Sequence, residues 1–100
     1  MKSYYSIFGC VNYFIDEKDS VRGFRKRPSW TYIFVISGII KVTVERHDYT
    51  VSEGEEFIVP GNKWHGWETI EDSKVIQKID DWKRSDDQIG CYADTVIQSA

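Results

Sequence analysis

Along most of this chain apolar residues recur at every second position. Ile40, Val42 and Val44 alternate with Lys41, Thr43 and Glu45, which predicts a strand with one buried and one wet face. Ser3 to Phe8 and Cys10 to Ile15, rich in Tyr, Phe, Ile and Val, also read as strands. Val21 to Arg27 reads as an edge strand halted by Pro28. Trp30 to Ile36 is almost wholly aromatic or β-branched, and Ser37-Gly38 predicts a tight hairpin turn into Ile39 to Arg46. Arg46-His47-Asp48 predicts the next turn, Tyr49 to Val51 pairs back, and Ser52-Glu53-Gly54 turns again. Phe57 to Pro60, Trp64 to Thr69 and Lys74 to Trp82 follow, the last with Val75, Gln77 and Ile79 on one face. Short strands with regular turns predict an all-β sandwich or barrel. Beyond Ser85 the period changes. Ser85 and Gln88 fit a capping box, and Ile89, Tyr92, Ala93 and Val96 fall at helical spacing, so a short C-terminal helix is expected despite Gly90.

One hundred residues make one domain, 1–100. Aromatic residues are 15% of the chain, an excess that must go to a core, a pocket wall or an oligomer interface. A net charge of -3 gives no electrostatic case for nucleic-acid binding. The short basic cluster Arg22, Arg25, Lys26 and Arg27 reads as a solvated edge or a pocket rim. Two cysteines, Cys10 and Cys91, fit reduced thiols in a cytoplasmic protein better than a disulfide scaffold. No apolar run approaches a membrane span, and the N-terminus is a poor signal peptide.

The segment Gly54-Glu55-Glu56-Phe57-Ile58-Val59-Pro60-Gly61-Asn62-Lys63-Trp64-His65 reads as turn, buried strand, turn and a strand carrying an imidazole. It resembles the second motif of the cupins, a Gly, five residues, Pro-x-Gly, two residues, His, three residues, Asn. Gly54, Pro60 and His65 match. Asn62, which also tolerates left-handed backbone angles, stands where the second Gly falls, and Thr69 replaces the final Asn. The family's first motif, anchored on Gly38, would put its Glu at Thr31 and its two histidines at Arg25 and Arg27. The resemblance covers residues 21–82 and implies a double-stranded β-helix, the cupin jelly-roll barrel. It does not imply one function.

A finer similarity is to the N-terminal effector-binding domain of arabinose-regulator (AraC-type) transcription factors. It rests on Arg25 or Arg27, the aromatic strand from Trp30 to Gly38, and Gly54 to His65. It implies a sugar or other small polar ligand and dimerisation. The helix-turn-helix domain of those regulators has no counterpart in this sequence.

A catalytic metal needs about three protein ligands. The chain has two histidines, and His47 reads as a solvated turn residue beside Asp48. Arg25, Arg27 and Thr31 are poor ligands, so no metal and no other cofactor is expected. Strand alternation instead turns His65 and Trp67 inward with Thr31, Ile33, Val35 and Gln77, and Trp64 outward. With Arg25 or Arg27 this makes a ligand-binding set of Arg, His, Thr, Gln and Trp, suited to a small hydroxylated or anionic molecule. The plain alternative for each is a core or edge residue, and a bulge before Pro28 would change which residues of Arg25 and Arg27 face in.

Trp30, Tyr32 and Phe34 share the opposite face, an apolar surface that predicts a homodimer interface or cover by the N-terminal strands or tail. The leading expectation is a metal-free sensor domain with no catalytic residue. The alternatives are a small isomerase, epimerase or lyase using His65 as acid or base, and a structural barrel with a filled interior.

Overall fold

A computed structural model describes residues 2–6 and 9–79, and the alternating segments form seven strands with no helix among them. They are β1 (Lys2–Ser6), β2 (Gly9–Asp16), β3 (Val21–Lys26), β4 (Thr31–Val44), β5 (His47–Ser52), β6 (Glu56–Val59) and β7 (Trp64–Ile79). The expected C-terminal helix lies outside the described residues.

Two long strands organise the barrel. A straight strand of 16 residues would run roughly 50 Å, yet the longest dimension of the molecule is 36 Å. β7 therefore bends, and β4 bends with it. The first half of β4 pairs with β6 and with the second half of β7, whose other neighbour is β2. The second half of β4 pairs with β5 and with the first half of β7, whose other neighbour is β3. All pairings are antiparallel. The result is two layers that share β4 and β7, the arrangement of a jelly-roll barrel.

Between the layers, Phe14, Ile33, Val35, Ile40, Val42, Val51, Val59, Trp67 and Val75 form one buried cluster. The two-residue period explains it, since Thr31, Ile33 and Val35 are each fully buried while Trp30 and Ile36 face out.

Two expected turns and one expected strand division are corrected. Ser37-Gly38 is not a hairpin, because β4 continues through it without a break. Gly38 does take a left-handed conformation, φ 89°. It uses this where β7 passes: a Cβ there would lie 2.2 Å from the Asp72 carbonyl oxygen. The register shifts around Ser37 and Ile39, so the glycine marks a bulge that bends a strand. Opposite it, the expected strands Trp64 to Thr69 and Lys74 to Trp82 are parts of one strand. The turn placed at Arg46-His47-Asp48 falls one residue earlier. Val44 pairs with His47, so Glu45 and Arg46 form the loop, with Glu45 at φ 57°.

The Gly54–His65 segment is held at both ends. Gly54 turns at φ 82° and donates its N–H to the Val35 carbonyl at 2.8 Å. Asn62 sits at φ 62° and donates to the Arg27 carbonyl at 2.6 Å. Asn thus supplies the left-handed position that a glycine would otherwise fill.

Candidate functional site

β7 delivers His65 and Trp67 to the interior, and β3 lies beside them. The register pairs Arg25 with His65 and Arg22 with Trp67. Three residues of β3 cover the distance of two on β7, so the Gly23-Phe24 step is a bulge. Without it Arg22 and Arg25 would face opposite sides; with it both face in. Gly66 makes room for the bulge. A Cβ on it would approach the Arg22 carbonyl oxygen to 2.7 Å and Phe24 to 3.0 Å.

Arg22 is buried and holds Asp16, its Nε donating to Oδ2 at 3.0 Å and its Nη2 donating to Oδ1. Its guanidinium lies 3.8 Å from the centre of the Phe14 ring, and Phe14 meets Trp67 edge-on with ring centres 5.5 Å apart. The pair with Asp16 leaves Nη1, which is buried without a hydrogen-bond partner among the described residues. The Trp67 indole Nε1 is in the same condition. A buried polar atom without a partner costs about 1–3 kcal/mol, and these two belong to residues that pair in register across β3 and β7.

His65 is 2% exposed. Its Nδ1 lies 3.1 Å from the Lys63 carbonyl oxygen, which can only accept. The bond therefore places the proton on Nδ1 and leaves Nε2 as the acceptor. Burial pushes the imidazole below its ordinary pKa. The Lys63 carbonyl opposes this, and the charges of Arg27 and Arg25 add to it. His65 is neutral at neutral pH. Burial likewise lowers the pKa of Arg25.

A cavity of about 10 Å³ lies among these groups, lined by Phe14, Arg22, Gly23, Arg25, His65, Gly66, Trp67 and Gln77. It has room for roughly one water-sized group. Of its lining residues only Gly23 and Arg25 are partly open to solvent, so they mark its mouth. Gln77 is oriented by Asn12, whose Nδ2 donates to Gln77 Oε1 at 2.9 Å.

Of the residues expected at the site, Arg25, His65, Trp67 and Gln77 meet at this cavity. Thr31 is buried but pairs with Val59 and Ile79 in the other layer, and Arg27 is buried without lining the cavity. Sequence reasoning missed Asp16 and Asn12, and had Arg22 only within the basic cluster read as a solvated edge or a pocket rim. A signal for Arg22 was present in Gly23, because a glycine inside a strand pattern marks a bulge. Nothing in the spacing pointed to Asp16 or Asn12.

The donor set does not fit a divalent cation. Beside His65, the first-motif positions of the resembled family hold two guanidinium groups and a threonine, and no three of His, Cys, Asp and Glu gather among the described residues.

On the outer surface Trp30, Tyr32, Ile58 and Lys78 line a groove of about 480 Å³, and Ile58 is 60% exposed. Tyr32 donates its hydroxyl to Glu56. Phe34 belongs to a neighbouring hollow with Tyr49 and Phe57.

Comparisons with known proteins agree on the architecture. A family model described as "Cupin domain" matches residues 17–76. A cupin superfamily protein from Desulfitobacterium hafniense is 15% identical with a TM-score of 0.71, covering 78% of this chain and 72% of that one. KdgF from Halomonas sp. is 22% identical with a TM-score of 0.65, covering 74% and 70%. A salicylate 1,2-dioxygenase from Pseudoaminobacter salicylatoxidans is 14% identical with a TM-score of 0.67, and this chain spans 20% of it. A conserved protein of unknown function from Streptococcus pyogenes is 19% identical with a TM-score of 0.66, covering 72% of this chain and 64% of that one. No curated protein matches by sequence.

Proposed function

This chain belongs to the cupin family, and from that premise we propose that it binds a small polar molecule inside the barrel without a metal. One observation carries the reading. Among the described residues Arg22 Nη1 and Trp67 Nε1 are buried donors without acceptors, and both side chains line one cavity with Arg25, His65 and Gln77. Buried donors gathered at a gap are what an acceptor from outside the chain would satisfy. A ligand oxygen placed there satisfies both. The fold alone would not support this, since the structural neighbours include a dioxygenase and a protein of unknown function.

The finer reading is a sensor domain of the AraC type. It rests on the sequence pattern from Arg25 to His65 and on the inward turn of its Arg, His and Trp residues. In such a domain ligand binding shifts the population of one conformation, and a homodimer through the Trp30 and Tyr32 face would carry the change. The test is a thermal-shift and turnover screen over sugars and small acids. Stabilisation by one chemical class, without turnover, supports the sensor.

The neutral His65 favours a second reading. With Nδ1 tied to the Lys63 carbonyl, Nε2 is placed to take a proton, as a general base must. Turnover of a stabilising compound, lost in His65→Ala with the fold intact, would turn the assignment to an enzyme.

A further inference from the structure

Arg22 brings the cavity a donor but no charge that still needs an answer. Its Nε and Nη2 hold the two oxygens of Asp16, so the guanidinium already has its counter-ion. What it lacks among the described residues is an acceptor at Nη1, and Trp67 lacks one at Nε1. A carboxylate placed here would add a second negative charge to a buried pair that is already neutral. It would also have to give up its own water. An uncharged oxygen avoids both costs. Uncharged oxygens then divide by whether they carry a proton. A carbonyl oxygen has two lone pairs and nothing to donate, so it takes both donors and leaves nothing unpaired. A hydroxyl brings a proton that needs an acceptor of its own. Of the side-chain acceptors in the lining, Gln77 Oε1 already takes a proton from Asn12 Nδ2 at 2.9 Å, which leaves only the imidazole of His65. The carbonyl makes the smaller demand on the site.

Resting on the ligand-binding reading above, we propose that the cavity takes the carbonyl oxygen of a small uncharged molecule, a ketone, an amide or an open-chain sugar, with Arg22 Nη1 and Trp67 Nε1 as its donors. The volume agrees, since about 10 Å³ holds one oxygen-sized group and not a branched head. The rest of the molecule lies at the mouth, where Gly23 carries no side chain to block it.

The experiment is an NMR titration of the full chain with four probes: acetone, dihydroxyacetone, 2-propanol and acetate. Ligands this small bind no tighter than roughly tens of micromolar, which suits the method. The indole N–H resonance of Trp67, one of four tryptophans, is assigned by its loss in Trp67→Phe. Acetone and dihydroxyacetone are expected to shift it, and tighter binding of dihydroxyacetone assigns the carbonyl to a sugar. 2-Propanol has the same skeleton with a hydroxyl for the carbonyl, and should bind several-fold more weakly. Acetate has the same size with a charge, and should also bind several-fold more weakly. Trp67→Phe keeps an aromatic ring and removes the donor, and should weaken acetone several-fold, followed through the remaining resonances. Should that variant not fold, Trp30→Phe, Trp64→Phe and Trp82→Phe assign the resonance by elimination, and the comparison of the four probes stands without it. 2-Propanol or acetate binding as well as acetone at Trp67 overturns the carbonyl class and leaves the ligand-binding reading standing. Acetone binding unchanged in Trp67→Phe puts the carbonyl elsewhere and overturns the site. No response of Trp67 to any probe, as when one water fills the cavity, overturns the proposal, while the thermal-shift screen decides the reading beneath it.

Discussion

Arg22 and Trp67 face each other across β3 and β7, each buried and each with a donor that no described group accepts. Asp16 accounts for the other side of the Arg22 guanidinium, and Phe14 lies under it. The arrangement makes Asp16 the anchor of the site. Asp16→Asn leaves a buried guanidinium without its counter-charge and should cost about 3–5 kcal/mol. Urea unfolding checks this. A loss below about 1 kcal/mol, the range of an exposed pair, would show that the pair is not held as described.

Gly38 and Gly54 both adopt left-handed angles, for different reasons. At Gly38 a Cβ would strike the backbone of Asp72 and Ser73, whereas at Gly54 nothing lies within 4 Å. Gly54→Ala should therefore cost only the conformational penalty, about 1–2 kcal/mol. Gly38→Ala should cost clearly more or prevent folding, because β7 must move. Thermal melts of the two variants give the comparison, and equal losses would contradict the bulge.

His65 sets a pH dependence. Burial lowers its pKa in the folded state, and Arg27 and Arg25 beside it act in the same direction. The unfolded chain therefore takes up a proton near pH 6.5 that the folded one refuses. The stability contribution is present above that pH and is lost as the pH falls through the window below it. Unfolding free energies measured at pH 7.5 and 5 should fall more for the wild type than for His65→Phe. Equal falls would mean that His65 is protonated where it sits.

The outer groove predicts association. Ile58→Glu places a charge in the apolar groove beside Trp30 and Tyr32. Light scattering should find a dimer for the wild type at micromolar concentration and a monomer for this variant. A wild-type monomer throughout that range removes the dimer.

Much of the fold was legible because the two-residue period is strong. Ile33, Val35, Ile40, Val42 and Val75 are buried as alternation requires, and Gln77, Trp67 and His65 turn inward with them. What alternation does not carry is where a strand bends. Ser37-Gly38 looks like a hairpin because a glycine permits positive φ, but the same freedom serves a bulge, and only the passage of Asp72 and Ser73 decides between them. The same limit hid Arg22. Read at period two it opposes Arg25, and the Gly23-Phe24 bulge brings both to one side. Asp16 and Asn12 were invisible for another reason. Asn12 reaches Gln77 across 65 residues through the pairing of β2 with the far half of β7, which no local pattern encodes, and Asp16 meets Arg22, six residues on, across the turn between β2 and β3.

The central claim is that the barrel interior is a binding site and not a filled core. Thermal unfolding of the full chain across sugars, polyols and small hydroxy acids tests it most directly. At ten times its dissociation constant a ligand of the folded state adds about 1.4 kcal/mol, or roughly 5–10 °C for a domain of this size. One class of compound is predicted to give that shift in the wild type and to lose most of it in Trp67→Phe. A flat response to every class, at millimolar concentration and in both proteins, would contradict the account and leave a structural barrel.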